Sequence, residues 1–261
     1  MGYGIVQSII GRTILSLAGG QAGIRSEYPE IAEIAPIQEL MGKEGSMVPI
    51  IGSPEMGKTI MAYRIAEIIG RPTFAFSPAV KPKFPWVTRL DNLSDILRKD
   101  KVPRKSTVIL DDVLGYASSK DYSDPEVRKL EKIIPEARHK RKIILIMCTQ
   151  SSSLTDKYLL TGPMVLLKMP SVLFADLERQ SVKKLQDRAA PFFEGKSDAF
   201  LQRHAYVVAH RYEGLVFIKY PGSDGGPIIE TPEEEEDNEL SDIEKVSEEG
   251  IDVVESSCTT T

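Results

Sequence analysis

Short apolar runs alternate along the middle of this chain with longer segments in which apolar residues recur every three or four positions. A continuous apolar run is typical of a strand that is buried on both faces, and the wider spacing is typical of a helix with one buried face. Their alternation predicts an α/β fold in which a mainly parallel sheet lies between two layers of helices. The predicted strands cover residues 46–51, 72–76, 106–110, 142–148 and 164–167.

Helices are predicted between these strands and after them. The first ends at Gly70, because glycine is the preferred residue just beyond a helix C-terminus. Another begins after Asp124, which is a good N-cap, and Pro135 is predicted to kink it. Two apolar segments further on predict an antiparallel hairpin at the edge of the sheet, with its turn at Glu213-Gly214. The predicted helices cover 60–69, about 88–99, the segment from 125 onward and 174–188, and the hairpin strands cover 205–210 and 215–218.

The segment between the first predicted strand and the first predicted helix has the spacing G-x-x-x-x-G-K-[ST] of a phosphate-binding loop. The two glycines let the backbone curl around a phosphate, the lysine places a positive charge at the β- and γ-phosphates, and the threonine hydroxyl can bind Mg²⁺. The order strand, loop, helix is the context that this motif requires. We therefore predict an ATP site, with a catalytic lysine and a metal-binding threonine, formed by Gly52, Ser53, Pro54, Glu55, Met56, Gly57, Lys58 and Thr59.

Polar side chains follow two of the later strands at the point where each strand ends. Asp111 and Asp112 come directly after the strand at 106–110, and Gln150 follows the next one. We expect Asp111 to bind Mg²⁺, Asp112 to act as the catalytic base for water, and Gln150 to contact the γ-phosphate or that water. Ligands bind at the carboxyl ends of parallel strands, so these residues and Gly52 are expected at one edge of the sheet. The alternative interpretations are that Asp111 and Asp112 form an ordinary turn and that Gln150 is a polar residue at a strand end without a catalytic role.

Cations cluster at the end of the helix that begins at residue 125. Positive side chains are favourable at any helix C-terminus, so a solvated surface is the default interpretation. Arg138 is nevertheless the best candidate for a catalytic arginine finger that reaches the nucleotide of a neighbouring subunit, and Arg141 is the second candidate. No spacing of histidines and cysteines in the sequence predicts a metal site.

The formal net charge of −5 hides an uneven distribution. From Glu230 onward the chain has 13 acidic residues and only one lysine, which leaves a formal charge of +7 on residues 1–229. The basic part is compatible with a polyanionic partner. The acidic segment lacks aromatic residues, which is typical of a disordered tail. It either keeps the protein soluble or occupies the basic surface in place of nucleic acid.

These patterns predict a domain organisation of an N-terminal leader at 1–45, a P-loop ATPase domain at 46–222 and a disordered acidic tail at 223–261. Residues 4–19 predict a leader helix that is too short and too polar to span a bilayer, so docking on protein or contact with a membrane surface are its alternatives. The two cysteines suggest no disulfide framework. We therefore expect a cytoplasmic protein, in the host cytoplasm if it is viral, with association with the virion as an option.

The motif at 52–59, the strand ending in Asp111-Asp112, the Ala137-Arg138-His139 run and the Thr149-Gln150 strand end together resemble the FtsK–HerA superfamily of P-loop ATPases. That superfamily includes the genome-packaging ATPases of membrane-containing phages and archaeal viruses. The resemblance implies a RecA-like fold with ATP and Mg²⁺ as cofactors, a homohexameric ring, and ATP-driven translocation of double-stranded DNA. A viral capsid vertex protein would be a further partner.

Three other functions are compatible with the same motifs. One is an AAA+-like helicase loader or transposition helper that uses ATP as an assembly switch. Another is a phage morphogenesis ATPase that resembles the zonula occludens toxin family, although that family usually has a transmembrane helix. A non-enzymatic nucleotide-binding scaffold is the third, and the carboxylates Asp111 and Asp112 argue against it because a scaffold does not need them.

Overall fold

In the computed structural model, one sheet of eight strands runs through the residues that the structure describes, which are 26–77, 84–111, 125–150, 162–170 and 180–224. The strands are β1 (Met47–Ile51), β2 (Thr73–Phe76), β3 (Val87–Arg89), β4 (Thr107–Leu110), β5 (Ile144–Thr149), β6 (Met164–Leu167), β7 (His204–Ala209) and β8 (Tyr212–Phe217). They follow one another across the sheet in the order β3-β2-β4-β5-β1-β6-β7-β8. Neighbours from β3 to β6 are parallel, whereas β6, β7 and β8 pair antiparallel. The predicted mainly parallel sheet is confirmed.

Helices cover both faces of this sheet, and the predicted helices at 60–69, from 125 onward and at 174–188 are found at least in part. The helices of the described ranges are α1 (Ala35–Met41), α2 (Lys58–Ile69), α3 (Pro125–His139), α4 (Gln180–Phe193) and α5 (Asp198–Arg203), with 3₁₀ turns at Ile31–Glu33 and Leu93–Leu97. The side chains of α3 are described from residue 132 onward. The residues before 180 in the predicted helix 174–188 lie outside the described ranges, as do the predicted leader helix and residues 225–261 of the predicted acidic tail.

Side chains alternate along the central strands between two apolar clusters, one on each face of the sheet. Ile144 and Ile146 of β5 pack with Ile65 of α2, whereas Leu145 of the same strand packs with Ile134 of α3. Every residue of β1, β4 and β5 is buried, which explains why these strands are continuous apolar runs in the sequence. The predicted three-layer α/β/α arrangement is therefore confirmed.

The predicted helix at 88–99 is wrong. Residues Val87–Arg89 form β3, which pairs in parallel with β2, and a 3₁₀ turn at Leu93–Leu97 follows. Leu90, Leu93 and Ile96 are buried as expected, but their spacing of three matches the three residues per turn of a 3₁₀-helix as well as it matches an α-helix. Sequence periodicity over so short a segment does not separate the two.

The edge hairpin is confirmed, but its turn lies elsewhere. Ala209 pairs with Tyr212, so the turn consists of His210 and Arg211, and Gly214 lies inside β8 opposite Val207. A Cβ on Gly214 would approach the hydroxyl of Tyr212 to 3.3 Å. The glycine therefore gives room to the tyrosine ring within the strand and does not mark the turn.

Part of the described segment before β1 packs against the sheet. Ile31, Ile37 and Met41 are buried in the same cluster as α2, and Glu30 forms a bridge with Phe217 beside β8. Pro36 lies in the first turn of α1, where its missing N–H is not needed. None of the helices in the described ranges combines the length and apolar character that a transmembrane span requires.

Candidate nucleotide-binding site

The strand order places the predicted site residues at one edge of the sheet. β5 lies between β1 and β4, so the carboxyl ends of these three strands are adjacent. Gly52 follows β1, Asp111 follows β4, and Gln150 follows β5. The N–H of Gly52 donates to the carbonyl of Thr149 at 3.2 Å, which ties the start of the loop to the end of β5. The structure therefore brings together the three strand ends that the sequence singled out.

The loop at 52–59 has the backbone conformation that its glycines permit. Gly57 has φ 79° and ψ 24°, in the left-handed region, directly before the first residue of α2. Glu55 also has a positive φ, of 62°. The ammonium of Lys58 donates to the carbonyls of Gly52 at 2.9 Å and Ser53 at 2.6 Å, so it lies over the loop where phosphate oxygens would bind. The loop thus combines backbone N–H groups, a lysine and the N-terminus of a twelve-residue helix.

Thr59 and Asp111 are in direct contact. The hydroxyl of Thr59 donates to Oδ1 of Asp111 at 2.9 Å, although 52 residues separate them in the sequence. A hydroxyl and a carboxylate side by side are oxygen donors of the kind that Mg²⁺ prefers, and Mg²⁺ in nucleotide sites is usually held by one or two carboxylates together with phosphate oxygens. The donor set therefore fits the predicted ion. Within the described ranges, no group of three or more His, Cys, Asp or Glu side chains could hold a metal without a nucleotide.

Gln150 and Asp112 are the remaining residues that were predicted at this edge. Gln150 is half-buried and lies directly beyond β5, between the loop and Asp111 in strand order. Asp112, the predicted catalytic base, lies outside the described residues. Their catalytic roles remain predictions.

Arg138 lies at the opposite edge of the sheet from the loop of its own chain. Its Nε donates to the carbonyl of Gly45 at 2.9 Å and its Nη1 to the sulfur of Met47 at 3.3 Å. Gly45 comes just before β1, and Met47 is the first residue of that strand. β1 has five residues, which span about 16 Å at the usual rise per residue. Arg138 therefore cannot reach the phosphate loop of its own chain, and a role in trans remains a prediction. It lines a cleft of about 400 Å³ whose lining also includes Lys43, His139 and Lys142.

Arg141, the second candidate for a finger, serves a structural purpose instead. It is buried, and its guanidinium donates to the carbonyls of Ile96 and Val102. Burial lowers the pKa of Arg141 from its usual value. A side chain enclosed in this way cannot reach a neighbouring subunit, so this prediction is wrong.

Lys168 is a site neighbour that the sequence reasoning missed. It follows β6 directly, is 1% exposed, and donates from its ammonium to the carbonyls of Gln202 at 3.0 Å and His204 at 2.6 Å. Burial, followed by the charges of Arg203 and Lys58, lowers the pKa of Lys168 well below its usual value. The sequence signal that could have identified Lys168 is its position directly after a predicted strand. That strand, β6, is the other neighbour of β1 and also ends at this edge.

Comparison with known proteins gives one family and several structures of similar fold. The family described as Novel STAND NTPase 3 matches residues 37–181. No curated protein matches the sequence.

Among solved structures, the genome packaging NTPase B204 of Sulfolobus turreted icosahedral virus 2 is 11% identical with a TM-score of 0.47, covering 67% of this chain and 96% of that one. The cytoplasmic domain of the type VII secretion ATPase EccC of Thermomonospora curvata is 14% identical with a TM-score of 0.43, covering 69% of this chain and 24% of that one. A DnaB-like replicative helicase is 13% identical with a TM-score of 0.43, covering 82% and 64%. A packaging ATPase of the kind that the sequence resembles is thus among the structures of similar fold. A likeness at this level of identity and TM-score assigns no activity to this chain.

The family match covers more than half of the chain and includes the phosphate loop, Asp111 and Gln150. It also covers β1 to β6, the parallel part of the sheet. The prediction of a P-loop NTPase is confirmed by this match together with the fold. The chain belongs to the Novel STAND NTPase 3 family.

Proposed function

We propose that this protein hydrolyses ATP and uses the energy to move double-stranded DNA as an oligomeric ring. The observation that carries the hydrolytic part is the contact between Thr59 and Asp111 beside Lys58, because it assembles a phosphate clamp and a metal-binding pair at one sheet edge. The motifs shared with packaging ATPases and the basic charge of residues 1–229 support DNA as the partner.

Each residue of this edge has a definite task in the proposed reaction. The backbone of 52–57 and the ammonium of Lys58 bind the β- and γ-phosphates, and release of Lys58 from its two loop carbonyls accompanies nucleotide binding. Thr59 and Asp111 would hold Mg²⁺, which when bound supplies positive charge against the phosphate oxygens. Asp112 orients and deprotonates water, and Gln150 contacts the γ-phosphate or that water.

A ring is proposed because the two edges of the sheet carry complementary groups. The phosphate loop lies at the carboxyl edge, whereas Arg138, Lys43 and Lys142 surround a cleft at the amino edge. Head-to-tail contacts bring different surfaces of neighbouring subunits together and close into rings. In such a ring, here proposed as a hexamer, Arg138 of one subunit would face the nucleotide of the next. Its guanidinium would exchange its contacts to Gly45 and Met47 for phosphate oxygens.

DNA contact is proposed for basic surface outside the nucleotide site. Lys183, Lys184 and Arg188 are exposed on α4, and Arg188 is paired only with Glu213 at 3.1 Å among the described residues. Such contacts release counterions from DNA, so binding should weaken steeply with salt. A capsid vertex protein as partner, and a place in the host cytoplasm or virion, belong to the same proposal.

The test is the ATP hydrolysis rate of the full chain with and without long duplex DNA, with the oligomeric state of the same sample measured by light scattering. The proposal predicts hexamers whose rate rises several-fold with duplex DNA, and Arg138→Ala should lose that rate without losing nucleotide binding. Lys140→Ala, an exposed cation on the same segment, is the matched control. Slow turnover that ignores DNA would contradict the translocase and favour the helicase loader.

A further inference from the structure

Lys168 is buried without an acidic partner. Its side chain is among the largest fully buried ones in the described residues, and within those ranges it forms no ion pair. Lysine is almost never fully buried unless it is paired, since removal of its charge from water is costly. The two carbonyls that accept from its ammonium only partly offset that cost. A leucine or methionine would fill the same space more cheaply, so the charge needs an explanation other than stability of the core.

The ammonium holds residues 202–204, where α5 ends and β7 begins. These residues touch the phosphate loop. The carbonyl oxygen of Gln202 lies 2.7 Å from the place where a Cβ on Gly57 would be, and the amide of Gln202 donates to the carbonyl of Glu55 at 3.4 Å. The position of the loop around Glu55 and Gly57 therefore depends on where residues 202–204 are held.

The backbone and stem of the same lysine contact the other end of the loop. The N–H of Lys168 donates to the carbonyl of Ile51 at 2.8 Å, and the next carbonyl, of Met169, accepts from the N–H of Ser53 at 3.0 Å. The Cβ of Lys168 lies 2.5 Å from the place where a Cβ on Gly52 would be. Lys168 thus contacts Gly52, the first glycine of the loop, directly. It acts on Gly57, the second glycine, through residues 202–204.

We propose that Lys168 is a positioning residue for the nucleotide: it holds residues 202–204 against the phosphate loop and places a buried positive charge behind the bound phosphates. Burial disfavours this charge in the free protein, and the nearby cations Arg203 and Lys58 disfavour it further. A bound polyphosphate offsets that repulsion. Part of the nucleotide affinity therefore comes from a charge that is unfavourable in the folded protein without nucleotide. The inference deepens the proposed ATP site and rests on it.

The experiment compares wild type with Lys168→Met, which keeps the length of the side chain and removes the charge. Binding of ADP with Mg²⁺ is followed by calorimetry, and ATP hydrolysis is measured without DNA. We expect the Kd and KM to rise about tenfold or more, the scale of one charge-assisted hydrogen bond, while kcat stays within a factor of about two because the lysine does not touch the reacting atoms. Lys132→Met, an exposed lysine of α3, should change neither constant.

A merely structural lysine would give a different result. The Lys168→Met protein would unfold more easily, yet its folded fraction would bind ADP with the wild-type Kd, and that outcome would overturn the proposal. If this variant does not fold, Gln202→Ala is used, because Gln202 is exposed and its side chain donates to the carbonyl of Glu55 in the part of the chain that the structure describes. It should raise the Kd about twofold, as the loss of one weak hydrogen bond implies, and an unchanged Kd would overturn the proposal. Wild type that binds no nucleotide would instead refute the proposed ATP site.

Discussion

Gly57→Ala tests how closely the phosphate loop is packed against residues 202–204. Two separate costs act on this alanine. Gly57 has φ 79°, a conformation in which a Cβ meets its own backbone, at a cost of about 1–2 kcal/mol for a residue other than glycine. The new methyl group would also lie 2.7 Å from the carbonyl oxygen of Gln202, which is backbone and cannot turn away.

The second cost can be separated from the first by a matched glycine. Gly195 has φ 68° and nothing within 4 Å of the place where its Cβ would be, so Gly195→Ala carries the conformational cost alone. Overpacking of a well-packed position typically costs a further 1–3 kcal/mol or so. We therefore expect the free energy of unfolding to fall by about 2–5 kcal/mol in Gly57→Ala and by about 1–2 kcal/mol in Gly195→Ala.

Urea unfolding followed by circular dichroism measures both losses, and calorimetry measures ADP binding to the folded variants. Gly57→Ala should also weaken ADP binding, because the loop or residues 202–204 must move to admit the methyl group. Gly195→Ala should bind ADP as wild type does. Equal losses of stability together with unchanged ADP affinity in both variants would refute the close approach of Gln202 to the loop.

Two further substitutions test particular contacts. Thr59→Ala removes the hydroxyl that donates to Asp111 and should lower Mg²⁺-dependent ATP hydrolysis at least about tenfold. Thr59→Ser keeps the hydroxyl and should retain hydrolysis. A wild-type rate in Thr59→Ala would show that the Thr59–Asp111 pair does not hold the metal. Arg64→Met leaves the buried carboxylates of Glu30 and Glu67 without their cation and should cost about 3–5 kcal/mol in urea unfolding. The exposed pair in Arg89→Met should cost no more than about 1 kcal/mol, and similar losses in the two variants would contradict a buried ionic cluster.

The parts of the fold that could be predicted from sequence are those in which local pattern and tertiary environment agree. β1, β4 and β5 are buried on both faces, so their apolar runs identify them without knowledge of their neighbours. The phosphate loop is also local, because the spacing of Gly52, Gly57 and Lys58 is set by the phosphate that it must surround. The contact of Thr59 with Asp111 could be expected once both were assigned to carboxyl ends of strands in one parallel sheet.

Three of the errors have a common cause, since each depends on contacts between distant segments. Leu90 and Ile96 have a spacing that suits two kinds of helix, and pairing of Val87 with β2 decides the outcome. Arg141 has the composition of a surface cation, but the carbonyls of Ile96 and Val102 enclose it. Lys168 resembles a solvent-exposed residue after a strand, and only the packing of residues 202–204 over it makes it buried.

The most direct test of the central claim is steady-state ATP hydrolysis by the full chain, wild type and Lys58→Ala, at saturating Mg²⁺. Lys58 lies over the loop carbonyls of Gly52 and Ser53 and is the first residue of α2. The account predicts Mg²⁺-dependent hydrolysis by wild type and its loss in Lys58→Ala, with both proteins folded by circular dichroism. Hydrolysis that survives in Lys58→Ala, or is absent from wild type, would contradict an NTPase centred on this loop.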